Sequence, residues 1–232
     1  IDSIMTLYPN CTDYPTEVLI VLDSLLVALE NEQNNNEGIG EDDLLFLNYL
    51  SDNYANLVVD GIINSAEASL ITDLNVDGLG LNNIDGIAYF TNLKSLSCKN
   101  NNLTSIPELP NQLETLNLRS NNISNINPMP QSLLDVDLRN NSLITVPEFP
   151  NQIETLKLCF NNFTSIPNLP DSLRVLYFAY NNLVGLPTLP SNTEQVLCYN
   201  NQIDFIDFIP ESIEIFRVQN NNISVLPDIP SG

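Results

Sequence analysis

Histidine and tryptophan are absent from the 232 residues, and seven lysines and arginines stand against 29 aspartates and glutamates. Without histidine, a serine or cysteine nucleophile has no imidazole to serve as its base, and no Cys/His cluster exists to hold a structural metal. The expectation is a non-catalytic chain with no cofactor. A net charge of −22 makes nucleic acid and anionic membrane poor partners. No stretch approaches the roughly eighteen apolar residues of a membrane span; the richest run, Val18 to Leu29, is broken by Asp23 and Ser24, so no membrane insertion is expected. The chain begins at Ile1, not Met, and shows no signal peptide, which fits either a processed secreted chain or a trimmed one.

What is present is a repeat. From Leu93 to Gly232 the pattern L-x-x-L-x-L-x-x-N-N-L-x-x-L-P-x-L-P-x-x recurs every twenty residues, seven times without insertion, starting at Leu93, Leu113, Leu133, Ile153, Leu173, Thr193 and Ile213. Such a period is the signature of a leucine-rich-repeat solenoid. Positions 1, 4 and 6 alternate as a short strand should, and positions 11, 14 and 17 supply the other inward side chains. One copy buries too little to offset the ordering of twenty residues. The copies must therefore stack, pairing their strands into a parallel concave sheet.

Position 9 is Asn in all seven copies, from Asn101 to Asn221. An inward Asn can both donate and accept toward backbone groups otherwise left buried without partners. Position 18 is Pro in every copy, and position 15 is Pro in five. Proline fixes φ and removes a donor, so the convex arc is expected to be extended and polyproline-like.

The short L-P-x-L-P arc resembles the bacterial leucine-rich repeats of IpaH and YopM type effectors, and those of secreted surface proteins of flavobacteria and their relatives. The segment Ile71 to Leu103 is similar to the leading segment of the second group, where it follows a D-x-N-x-D-G-x-I-x-x-x-E-A element; here Asn56 to Ala68 reads NLVVDGIINSAEA. The resemblance implies a secreted or cell-surface bacterial protein engaged in host or partner interaction.

Residues 1–70 are expected to form an acidic helical cap and 71–232 the solenoid, with an irregular first repeat over 71–92 and seven regular ones over 93–232. The first 92 residues hold 16 acids and no base. Helices are expected near Thr16 to Glu30 and Glu41 to Tyr54, joined by the NEQNNNEGIG turn. The run VLIVLDSLLVAL could cover the end of the core. Asn56 to Glu67 has the length and the glycine of an EF-hand loop, with Asn56, Asp60, Asn64 and Glu67 as the calcium-binding candidates. Position 3 is Val58, which offers no side-chain oxygen, so the expectation is a structural turn without an ion.

Cys98 and Cys198 sit at position 6, facing the core and roughly 24 Å apart at sheet spacing, too far to pair. Cys159 sits at outward position 7, where an exposed thiol is expected. Only Cys11 with Cys98 is geometrically open.

The outward columns of the concave face are positions 3, 5, 7 and 8. Lys99, Arg119 and Arg139 stack at position 7, with Lys157 and Arg217 at position 5. Asp135 and Asp137 can offset part of this charge; the alternative is a basic strip kept for an acidic partner patch. Beside it, Phe160, Val175, Tyr177, Tyr180, Leu197 and Tyr199 should form one patch of outward rings and apolar groups, a common composition for protein-binding hot spots. Phe205 and Phe208 on the convex arc are a second contact or substitutes for missing prolines.

The reading is a non-catalytic module that binds a protein, or alternatively a glycan, through its concave face. A second reading is the substrate-recognition region of a larger IpaH-type effector ubiquitin ligase. The final repeat, Ile213 to Gly232, shows no polar cap, so either the natural chain continues or its edge, with Phe216, Val218, Ile223 and Leu226, packs against another molecule.

Overall fold

Each coil needs a place to turn, and the sequence supplies it at fixed offsets. The computed structural model describes residues 44–59 and 61–228. It begins with α1 (Leu44–Asn53), a hairpin of β1 (Val58–Val59) and β2 (Ile62–Ile63), and the single turn α2 (Ser65–Ala68). Eight parallel strands follow: β3 (Asp73–Asn75), β4 (Ser95–Ser97), β5 (Thr115–Asn117), β6 (Asp135–Asp137), β7 (Thr155–Lys157), β8 (Val175–Tyr177), β9 (Gln195–Leu197) and β10 (Ile215–Arg217). Each pairs only with its sequence neighbours, so the sheet order is the chain order. The register advances by 22 residues from β3 to β4, Leu74 opposite Leu96, and by 20 thereafter, Leu96 opposite Leu116. This is a leucine-rich-repeat solenoid.

The strands occupy only positions 3 to 5 of each repeat. Position 4 points inward and is buried in every strand from β3 to β9. The inter-coil ladder continues past the strand: the Cys98 amide donates to the Asn117 carbonyl at 2.8 Å and the Asn100 amide to the Arg119 carbonyl at 2.9 Å. At position 8 the chain turns, with φ between 56° and 58° at Asn100, Ser120, Asn140, Phe160, Tyr180, Asn200 and Asn220. Position 9 then binds the turn. Asn161 Oδ1 accepts from the Leu143 amide at 3.0 Å, while its Nδ2 donates to the carbonyls of Leu138 and Leu158 at 3.0 and 3.1 Å. One side chain thus satisfies backbone groups of two successive coils.

The return arc holds neither helix nor strand from position 9 onward in the coils of β4 to β9. Its buried prolines close the loop: the Pro110 carbonyl accepts from the Leu113 amide at 3.2 Å, a turn repeated at Pro130, Pro150, Pro170, Pro190 and Pro210. A residue there with an N–H would bring a donor into the interior; proline brings none.

At the β3 end, α1 buries Phe46 and Leu50, and Tyr49 Oη donates to the exposed Asn75 carbonyl of the edge strand at 2.8 Å. Ile63 of the hairpin packs on Gly86, where a Cβ would lie 2.7 Å from Ile63 Cδ1 and where φ is +89°. The positive φ requires glycine, and a Cβ would also force the Ile63 side chain to move. The helix expected near Thr16 to Glu30, its apolar run, and Cys11 lie outside the described residues. At the other end, β10 has no further strand beside it among the described residues. Leu226 is 48% exposed, and Phe216, Val218 and Ile223 are partly exposed.

Candidate functional site

Because the inward columns are filled alike in every coil, the coils differ mainly in what faces outward. On the concave side of β3 to β7 the outward residues are largely charged. Lys99 Nζ lies 3.1 Å from Asp77 Oδ2, Lys157 Nζ lies 3.4 Å from Asp135 Oδ1, and Arg139 forms a fork onto Asp137 with its shortest contact at 2.6 Å. Asp137 is 5% exposed. Its hydrogen bond to Arg139 raises the guanidinium's proton affinity above the ordinary value, against the cost of burial. Burial pushes the Asp77 carboxyl up, but hydrogen bonds from the Ser97 hydroxyl and from the Lys99 ammonium and amide outweigh it and hold the group below the usual carboxylate range. The strip expected from sequence is thus largely neutralised within the fold. Among the described residues Arg119 and Arg217 have no acidic partner, and both are exposed.

From β7 to β9 the face changes. Phe160 and Tyr180, at position 8 of adjacent coils, stack with ring centroids 4.3 Å apart and planes inclined by 12°. Tyr199, at position 7 of the next coil, meets Tyr180 edge-on at 5.5 Å. Phe160 is 50% exposed and Tyr180 44%. Tyr177 Oη donates to Gln195 Oε1 at 2.7 Å, which fixes its ring across the β8 and β9 strands. Val175, Tyr177, Leu197 and Tyr199 are half-buried, forming a floor below the two outer rings. Leu197 lies between Tyr177 and Arg217 in the sheet register.

Phe160 and Tyr180 adopt the left-handed backbone that the other coils give to Asn, Ser or Gly. A bulky side chain there costs roughly 1–2 kcal/mol. Their stacking, worth about 0.5–1.5 kcal/mol, offsets only part of that for the two together.

One expectation is corrected. Cys159 is not an exposed thiol: it is 7% exposed. Cys159 and Ala179 are small groups between Arg139 and Tyr199 in the same column, and these longer neighbours screen them. Burial raises the Cys159 thiol above its ordinary range, and Cys198 in the core is pushed up to about 12. Neither is poised to act as a nucleophile at neutral pH.

In the EF-hand-like loop, Asn56 has φ 61°, and Asn64 Oδ1 accepts from the amides of Ala66 and Glu67 at 3.1 and 3.5 Å. Asn64 is the N-cap of α2. Asp60 lies outside the described residues. On the convex side Phe205 and Phe208 are 61% and 49% exposed.

Gln195 and Asn140 were missed by sequence reasoning, although both fall in outward columns. The family described as Leucine Rich Repeat matches residues 92–113 and 112–134. No curated protein sequence matches the chain. Among solved structures, YopM from Yersinia enterocolitica WA-314 is 29% identical with a TM-score of 0.59, over 70% of this chain and 41% of that one. YopM from Yersinia pestis, a leucine-rich effector protein, is 27% identical with a TM-score of 0.66, over 69% and 46%. A Shigella effector LRR domain is 28% identical with a TM-score of 0.58, over 67% and 72%. The chain spans less than half the length of either YopM chain. It resembles bacterial leucine-rich-repeat effectors, and its repeats make it a protein-interaction module.

Proposed function

We propose that this module is secreted or displayed at the cell surface and holds a partner protein on its concave face, with the rings of β7 to β9 as the anchor. The observation that carries this reading is the stack of Phe160, Tyr180 and Tyr199. Outward rings in a column that favours Asn add nothing to the core, and two of them sit in a backbone conformation that disfavours them. Rings with one exposed face, bordered by unpaired guanidinium groups, are suited to a desolvated contact with a polar rim. The likeness to YopM and to the Shigella effector domain supports a host-directed partner. The Shigella likeness, which covers 72% of that domain, also favours a second reading, in which the chain is the recognition region of a larger effector enzyme.

A photo-crosslinking residue at Asn200, beside the rings, and another at Asn168 on the convex arc test the proposal. Cross-linking from Asn200 should be competed by the unlabelled protein but not by its Tyr199→Ala variant, while Asn168 should give no competable product. Competable cross-linking from Asn168 alone would move the site to the convex side. Protease treatment of intact source cells addresses display: surface protein should be cleaved without lysis.

A further inference from the structure

Between the charged half of the sheet and the rings lies an open recess of about 280 Å³, lined by Arg119, Arg139, Asn140 and Phe160. Arg139 is held there by Asp137, which occupies its Nε and Nη2. Its remaining guanidinium nitrogen, Nη1, has no protein acceptor among the described residues. Arg119, in the same column one coil earlier, has none for its whole guanidinium. Asn140 is tied sideways to Ser120 Oγ at 3.1 Å. The Phe160 ring has one face on Tyr180, which leaves the other toward the coil of Arg139 and Asn140.

A chain of net charge −22 repels acidic groups at long range. Here it places two guanidinium groups, one uncommitted and one half-committed, beside a free ring face. Lys99, Arg139 and Lys157 each have an acid from the same face; Arg119 does not. We propose that this recess is a subsite for an acidic segment of the partner protein, with a carboxylate held by Arg119 and Arg139 and the adjoining aromatic or large apolar side chain laid on Phe160. Guanidinium groups bind carboxylates through paired charge-assisted hydrogen bonds, and a nearby apolar wall strengthens them by excluding water. The chain's net negative charge then acts as discrimination, since an acidic segment that misses the recess finds no comparable pair of guanidinium groups to offset the long-range repulsion. This specifies the ligand of the concave-face reading and rests on it.

The probe is 3-phenylpropanoate, which carries one carboxylate next to one ring. Titration into isotopically labelled protein should shift the amides of Arg119, Asn140 and Phe160, with affinity in the millimolar range. The neutral 3-phenylpropanamide, the Arg119→Ala variant and the Phe160→Asn variant should each weaken binding about tenfold. Asn is the residue of that column elsewhere, so the last variant keeps the fold, and unchanged spectra outside the recess confirm this. Equal binding of acid and amide, unchanged binding by Arg119→Ala, or absence of shifts at these amides would overturn the subsite. Should the fragment fail while Asn200 still cross-links in a Tyr199-dependent way, the subsite falls and the ring anchor stands. Fragment binding without competable cross-linking would leave the recess a carboxylate site and remove the anchor.

Discussion

Two halves of one sheet share a backbone and divide its work. From β3 to β6 the concave residues are mostly polar or charged, and two of the three concave cations of these coils, Lys99 and Arg139, are answered by an acid of the same face, while Lys157 of β7 reaches back to Asp135. From the turn after β7 to the end of the β9 coil's sheet face, three rings, Phe160, Tyr180 and Tyr199, answer one another, with no acid in the outward columns of β8, β9 or β10. The backbone beneath does not register the change, because the ladder Asn and a buried apolar residue at position 4 recur in each coil from β4 to β9. The charged half has become part of the fold's own bookkeeping, while the ring half and Arg119 stay available to something else.

The largest effect should be blind to the boundary between the halves. Asn141 and Asn181 each accept one amide and donate to carbonyls of two coils. Replacing either with Ala leaves those groups unpaired, buried at Asn181 and part-buried at Asn141, at about 1–3 kcal/mol per group, so each variant should lose about 3 kcal/mol or more in urea unfolding. If the two costs differ widely, the halves do not rest on a common scaffold.

The outward columns should separate the halves. Asp137→Ala strands the part-exposed Arg139 and should cost about 1–2 kcal/mol of stability after solvent screening. Tyr177→Ala, Tyr180→Ala and Tyr199→Ala should each cost about 1 kcal/mol or less of stability, yet about 2 kcal/mol of partner binding, measured by calorimetry. The charged half also carries a pH signature. Asp77 has its folded-state proton affinity lowered, so its contribution is complete above the ordinary carboxylate range and is lost as pH falls below about 4. Asp77→Asn should lower stability at pH 7 and flatten the acid limb of the stability curve; no comparable limb is expected from the rings.

A smaller effect runs in the opposite direction. The double variant Phe160→Asn with Tyr180→Asn restores the residue that four coils carry in the left-handed position. It relieves two strained residues and loses the stack, for a net gain of about 1 kcal/mol in stability, together with loss of binding. A less stable double variant would show that the rings serve the sheet itself.

Much of this comparison was legible in the sequence. The twenty-residue period fixed the register, the buried columns and the adjacency of Phe160, Tyr180 and Tyr199. The left-handed turn was also written there, since Asn, Ser or Gly at position 8 in most coils is a signal of positive φ. Cys159 was misjudged because column position tells where a side chain points but not how tall its neighbours stand. The partners of Lys99 and Arg139 were equally hidden: Asp77 falls in the irregular first repeat, and choosing between Asp135 and Asp137 needs side-chain geometry. Short pairwise distances, unlike periods, are not carried by a one-dimensional pattern.

The smallest expected effect is none at all, and it lies away from the sheet, in the loop before α2. Calcium needs six to eight oxygen ligands. Val58 of the loop lies in β1, paired with Ile63, and contributes no side-chain oxygen; Asn64 Oδ1 is turned toward two amide donors of α2. Those amides supply, for the loop's exit, the order an ion would otherwise impose. Excess calcium and excess chelator should therefore give the same Tm to within about 1 °C. A rise of several degrees with calcium would mean that an ion orders the loop and, through Ile63 packed on Gly86, stabilises the β3 end of the solenoid.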